Sequence, residues 1–109
     1  MNRDGKTINL NEGNYGRSIP FIIKGSVYIN DEFVFKIAQD AGKPPILEKV
    51  YKVEALNEDN TFSFNFTLTK EESAKLPAGD YAWGLHQYRK EKLYDTLVSN
   101  ERFKVKEVV

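Results

Sequence analysis

The chain has 109 residues, a length that a single seven-stranded sandwich of roughly 100 residues would nearly fill. Sixteen basic and sixteen acidic residues cancel, which argues against a long-range field for gathering nucleic acid or an anionic membrane. Cysteine is absent, so disulfides, thiolate metal sites and cysteine nucleophiles are excluded together.

The opening segment, Met1 to Lys6, is polar and lacks the apolar run of a signal peptide or anchor, so the expectation is a soluble chain made in the cytoplasm. Asp4-Gly5 is a turn signal, Thr7 to Leu10 alternates weakly like an edge strand, and Asn11 to Gly16 reads as a loop. Ser18 to Ile23 is β-rich, although Pro20 lacks an amide donor and belongs at an edge or a strand start. In Glu32 to Ile37, Phe33, Phe35 and Ile37 share one face, with Val34 and Lys36 on the other.

Gly42-Lys43-Pro44-Pro45 interrupts the chain, and Ile46 to Val53 follows as a solvated edge segment. After the turn-prone Asn57-Glu58-Asp59-Asn60 comes the cleanest alternation, with Phe62, Phe64, Phe66 and Leu68 on the core side of Ser63, Asn65 and Thr67. Thr69-Lys70-Glu71-Glu72 has the form of a capping box, in which Thr and Glu side chains satisfy amides at a helix start; it predicts a helix of about two turns. Pro77 and Gly79 stop that helix, and Tyr81, Trp83 and Leu85 share the face of the strand begun at Asp80. Arg89-Lys90-Glu91-Lys92 reads as a hairpin tip. Leu93 to Val98 and Arg102 to Val105 supply the closing strands around a turn at Ser99-Asn100. The result is one all-β domain spanning 1–109, with about seven strands and one short helix before the sixth.

Leu76-Pro77-Ala78-Gly79-Asp80-Tyr81-Ala82-Trp83 resembles the corner leading into the sixth strand of immunoglobulin-like sandwiches. The resemblance implies that the Tyr81 hydroxyl bonds back to upstream backbone. It also places Trp83 at the core position that cysteine occupies in antibody domains. A simpler reading of Tyr81 and Trp83 is ordinary core aromatics at period two; both readings bury the pair.

A wider pattern joins Phe33-x-Phe35-x-Ile37, Phe62-x-Phe64-x-Phe66-x-Leu68-Thr69, Leu76-x-x-Gly79-x-Tyr81-x-Trp83, Asp95-Thr96-Leu97 and Phe103-x-Val105. It resembles small immunoglobulin-like modules of phage and prophage structural proteins from Gram-positive bacteria, of the baseplate and tail type. The resemblance implies a virion building or accessory component, partnered by other phage structural proteins or by itself as a homo-oligomer; charge balance and the lack of catalytic motifs separately lead to the expectation of a non-enzymatic chain with no nucleic acid, membrane or cofactor. The matched positions carry fold and transfer no binding residue.

Chemical alternatives find little support. His86 is the single histidine and lies by parity with Ala82, Gly84 and Tyr88 opposite Trp83, as a partly exposed imidazole or part of a partner-facing patch. No serine has a nucleophile-elbow context, so no catalytic or metal residue is assigned. Asn30-Asp31-Glu32 and Glu58-Asp59-Asn60 lack the alternating oxygens of a calcium loop and read as solvated turns. Asn65-Phe66-Thr67 is a formal glycosylation acceptor inside a strand, where no modification is expected. Two contact modes remain. Strand edges near Ile8 and Ile46 could pair with another chain through main-chain hydrogen bonds. Alternatively, outward tyrosines among Tyr15, Tyr28, Tyr88 and Tyr94 could form a flat platform for sugar rings.

Overall fold

The alternation at Phe62, Phe64 and Phe66 is the pattern of a strand with one face against a core, and the chain obeys it. The structure, a computed structural model, describes residues 7–13 and 15–107; the Asp4-Gly5 turn lies outside the described residues. Seven strands are formed among them: β1 (Ile8–Asn11), β2 (Ser18–Ile23), β3 (Glu32–Ala38), β4 (Pro45–Lys52), β5 (Phe62–Thr67), β6 (Gly79–Arg89) and β7 (Lys92–Lys106). One helix, α1 (Lys70–Ala74), precedes β6.

Strands β1-β7-β6-β3-β4 form a mixed sheet in that order, and β2 pairs with β5 in a second sheet. All pairings are antiparallel except β1 with β7, where Ile8 lies beside Phe103 and Leu10 beside Val105. Pro20 falls in the two-stranded sheet opposite Asn65. The segments around Ile8 and Ile46 thus form the two edges of the larger sheet.

The sheets meet through aromatic rings. Phe35 of β3 stacks on Phe66 of β5 at 4.2 Å and on Trp83 of β6 at 4.8 Å, while Phe33 stacks on Phe62 at 5.5 Å. Phe21 of β2 meets Trp83 edge-on at 5.9 Å. Phe33, Phe35 and Phe103 are wholly buried, each contributing about 1.5–3 kcal/mol from burial and more from ring contact.

The Thr69 capping box is present in full. Glu72 N–H donates to Thr69 Oγ1, and Thr69 N–H donates back to Glu72 Oε1. The helix is shorter than the two turns predicted, five residues ending at Ala74, because Pro77 cannot continue it and the chain must reach Gly79, whose φ of 159° opens the next strand.

A second correction concerns Ser99-Asn100. No turn forms there, and Leu93 to Val105 belongs to one strand. Register shifts between Trp83/Leu85, Leu85/His86 and Gln87/Tyr88 place extra residues on β7, and Asn100 takes φ 54° within the first. Each bulge adds twist, so a turn-prone Asn is absorbed as a bend of β7 rather than a reversal. Gly84 sits opposite that bend, where a Cβ would lie 3.1 Å from the Val98 carbonyl oxygen, so a side chain there would push the neighbouring strand back by a few tenths of an ångström.

Candidate interaction surface

The β6–β7 hairpin turns on Lys90 and Glu91, with φ 53° and 66°. Two consecutive left-handed residues are what a tight two-residue hairpin demands, usually supplied by Asn-Gly. The hairpin tip expected at Arg89 to Lys92 is therefore present. Arg89, however, does not project into solvent. The β3–β6 register pairs Glu32 with Tyr88, so the next pair outward brings Asp31 opposite Arg89. Parity with Phe33 and Gln87 turns both side chains to the inner face.

Asp31 is only 1% exposed, which overturns its reading as a member of a solvated turn. Its carboxylate accepts from Arg89 Nε at 3.0 Å and Nη2 at 2.9 Å, from Gln87 Nε2 at 2.9 Å, and from Tyr28 N–H at 2.9 Å. A buried carboxylate survives only if its lone pairs are filled, and here they are. Gln87 and Arg89 also donate to the Ser26 carbonyl, tying the β2–β3 loop to the hairpin. Asp31 O accepts from Val53 N–H, and Val53 O accepts from Asn30 N–H, attaching the end of β4 to the same loop. Burial pushes the Asp31 carboxyl upward, but bonds from Arg89, Tyr28 and Gln87 outweigh it and hold the group below its ordinary value. Bonding to Asp31 raises Arg89 in turn.

The guanidinium lies 4.0 Å from the Tyr28 ring centre and 3.8 Å from that of Tyr94. The cation therefore sits over the π-face of both rings. Tyr94 is the residue that the Gln87/Tyr88 bulge inserts into β7, a device that re-aims a side chain. Bonding to Ser26 and Arg89 holds its hydroxyl below the usual tyrosine value. Around this clamp Tyr28, Ile29, Leu93 and Tyr94 are each about half exposed or more, from 47% to 59%. Tyr28 and Ile29 sit on the β2–β3 loop and Leu93 and Tyr94 at the start of β7, so these exposed apolar side chains come from one end of the molecule.

The four candidate tyrosines do not form a flat platform. Tyr28 and Tyr94 each spend one ring face on Arg89. Tyr15 borders Pro77 and Ala74 at the opposite end of β6, and Tyr88 lies by parity on the outer face of the larger sheet. His86 is partly exposed on that outer face, as parity predicts, with Nδ1 3.1 Å from Thr96 Oγ1. Burial and the neighbouring Lys36 charge lower its pKa. Among the described residues no group of three His, Asp or Glu side chains could hold a metal. The other acidic turn stays exposed as read, with Asp59 accepting from Thr61.

At the β4 edge, Lys49 turns inward and donates to the Thr67 carbonyl and, at 2.9 Å, to Glu72 Oε1. The capping glutamate therefore also anchors the edge strand. Beside it, burial and the Glu72 charge push the Tyr51 hydroxyl up to about 12.

No helix among the described residues is long and apolar enough to cross a membrane. The chain matches no family model, no curated protein and no solved structure.

Proposed function

We propose that the chain is an immunoglobulin-like sandwich that works as a contact module without chemistry of its own, as a tail or baseplate component of a phage or prophage. The observation that carries the contact reading is the exposed pair Tyr28 and Tyr94 held on the Asp31–Arg89 clamp, with the exposed Ile29 and Leu93 next to them in the chain. Side chains fixed before a partner arrives lose less entropy on binding, so a small patch can serve as an anchor.

Three features support the immunoglobulin-like assignment. The Tyr81 hydroxyl donates to the Pro77 carbonyl at 2.5 Å, as the corner resemblance implies. The order β7-β6-β3-β4 facing β2-β5 follows the two-layer plan of such domains. Trp83 meets Phe21 across the sheets, in the place where antibody domains join those strands by a disulfide. The phage assignment is supported by the sequence resemblance, and its partners are other structural proteins of the particle or a second copy.

Particles purified from a lysogen encoding the chain test the reading. The chain cofractionates with tails, and Tyr28→Ala with Tyr94→Ala lowers its incorporation while the domain still melts cooperatively. Recovery solely in the unassembled fraction contradicts the proposal. Binding of the isolated domain on a glycan array would favour a carbohydrate- or cell-surface-binding module instead.

A further inference from the structure

The outer edge of β4 carries a self-complementary sequence. Val53 directs both its N–H and its C=O toward the β3 side, to Asp31 and Asn30. Backbone groups alternate in direction along a strand, so those of Glu48, Val50 and Lys52 point to the open edge of the sheet. Among the described residues none donates a hydrogen bond to, or accepts one from, these backbone groups on that side. The same three residues place their exposed side chains on the outer face, and Val50 is 57% exposed.

We infer that β4 pairs antiparallel with β4 of a second copy about a two-fold axis at Val50, joining two five-stranded sheets into one. In this register Val50 faces Val50, and each Glu48 faces a Lys52. Apolar and opposite-charge pairs directly across a ladder both stabilise it, whereas like charges oppose it. Moving the two-fold axis by two residues either way, a slide of four between the copies, sets Glu48 against Glu48 or Lys52 against Lys52. Moving the axis by one, a slide of two, sets Val50 against Glu48 or Lys52. A single register is thus favoured, and the open backbone groups of both copies are satisfied. The pairing uses a different surface from the clamped loop end and stands or falls independently of any partner there.

Sedimentation of the purified full chain tests it. Weight-average mass rises with concentration toward that of a dimer. Glu48→Lys or Lys52→Glu alone weakens association about tenfold or more, since two symmetric pairs turn from attraction to repulsion. The double variant restores it, although each substitution also disturbs a neighbour on β3, Lys36 or Glu32. Thermal melts of all three verify folding. As a second measurement, Val50→Cys in this cysteine-free chain oxidises to a covalent dimer, because residues exchanging hydrogen bonds across antiparallel strands lie within disulfide reach. Ile22→Cys, comparably exposed on the other sheet, does so far more slowly. A wild-type chain monomeric at every concentration overturns the pairing. So does a double variant weaker than either single one, or equal crosslinking at both positions. None of these results bears on particle incorporation, which tests the contact-module reading separately.

Discussion

The aromatic interior and the polar clamp stabilise the same two-sheet fold by opposite means. Between the sheets, Phe21, Phe33, Phe35, Phe62, Phe66 and Trp83 pack by area and ring geometry. At the loop end, one carboxylate collects four donors, and every partner left behind by its removal must find water or remain unsatisfied. The interior determines whether the chain folds. The clamp determines how two loops and a hairpin are held once it has folded.

That difference can be strained from either side. The largest effect is expected at Phe35, wholly buried among Phe21, Phe66 and Trp83: Phe35→Ala should cost about 3–5 kcal/mol in chemical denaturation, a large fraction of a small domain's stability. Asp31→Ala should cost about 2–3 kcal/mol, because Gln87 loses a buried acceptor while Arg89, partly exposed, regains some water.

Acid should act through the same carboxylate. The folded Asp31 lies below its ordinary value of 3.8, so its contribution is complete above about that pH and disappears as pH falls through the folded value. Melting temperature should therefore drop more steeply below about pH 4 in the wild type than in Asp31→Asn. Equal acid slopes would show that Asp31 contributes nothing to the pH dependence.

Smaller effects probe the corners. Tyr81→Phe removes the hydroxyl bond to Pro77 and should cost about 1 kcal/mol by thermal melt. Replacing Lys90-Glu91 by Asn-Gly should stabilise by about 0.5–1 kcal/mol, since both positions have positive φ that these residues adopt more readily. His86 should give the least: its imidazole resonances should titrate below the ordinary 6.5 in NMR, and a value above it would contradict the position beside Lys36.

The same contrast explains what was legible in the sequence. Period-two rows such as Phe62, Phe64 and Phe66 announce both a strand and its buried face, and the Thr69–Glu72 box lies within four residues, so local reading found them. Edge placement at Ile8 and Ile46 followed from their weak patterning. The clamp had no such signature. Asp31 and Arg89 are 58 positions apart, and each resides in a segment whose composition reads as turn. Their meeting depends on strand register, which periodicity does not supply; once β3 and β6 are paired at Phe35 and Leu85, it follows by counting. The β7 bulges were missed for a related reason: an Asn in the left-handed region serves a bend as well as a turn.

Amide hydrogen exchange at Tyr28 tests the clamp most directly, because that N–H donates to the Asp31 carboxylate from an otherwise exposed loop residue. Marked protection is expected in the wild type, lost in Asp31→Ala while the Phe35 amide remains protected. A Tyr28 amide exchanging at the rate of an open loop in the wild type would contradict it.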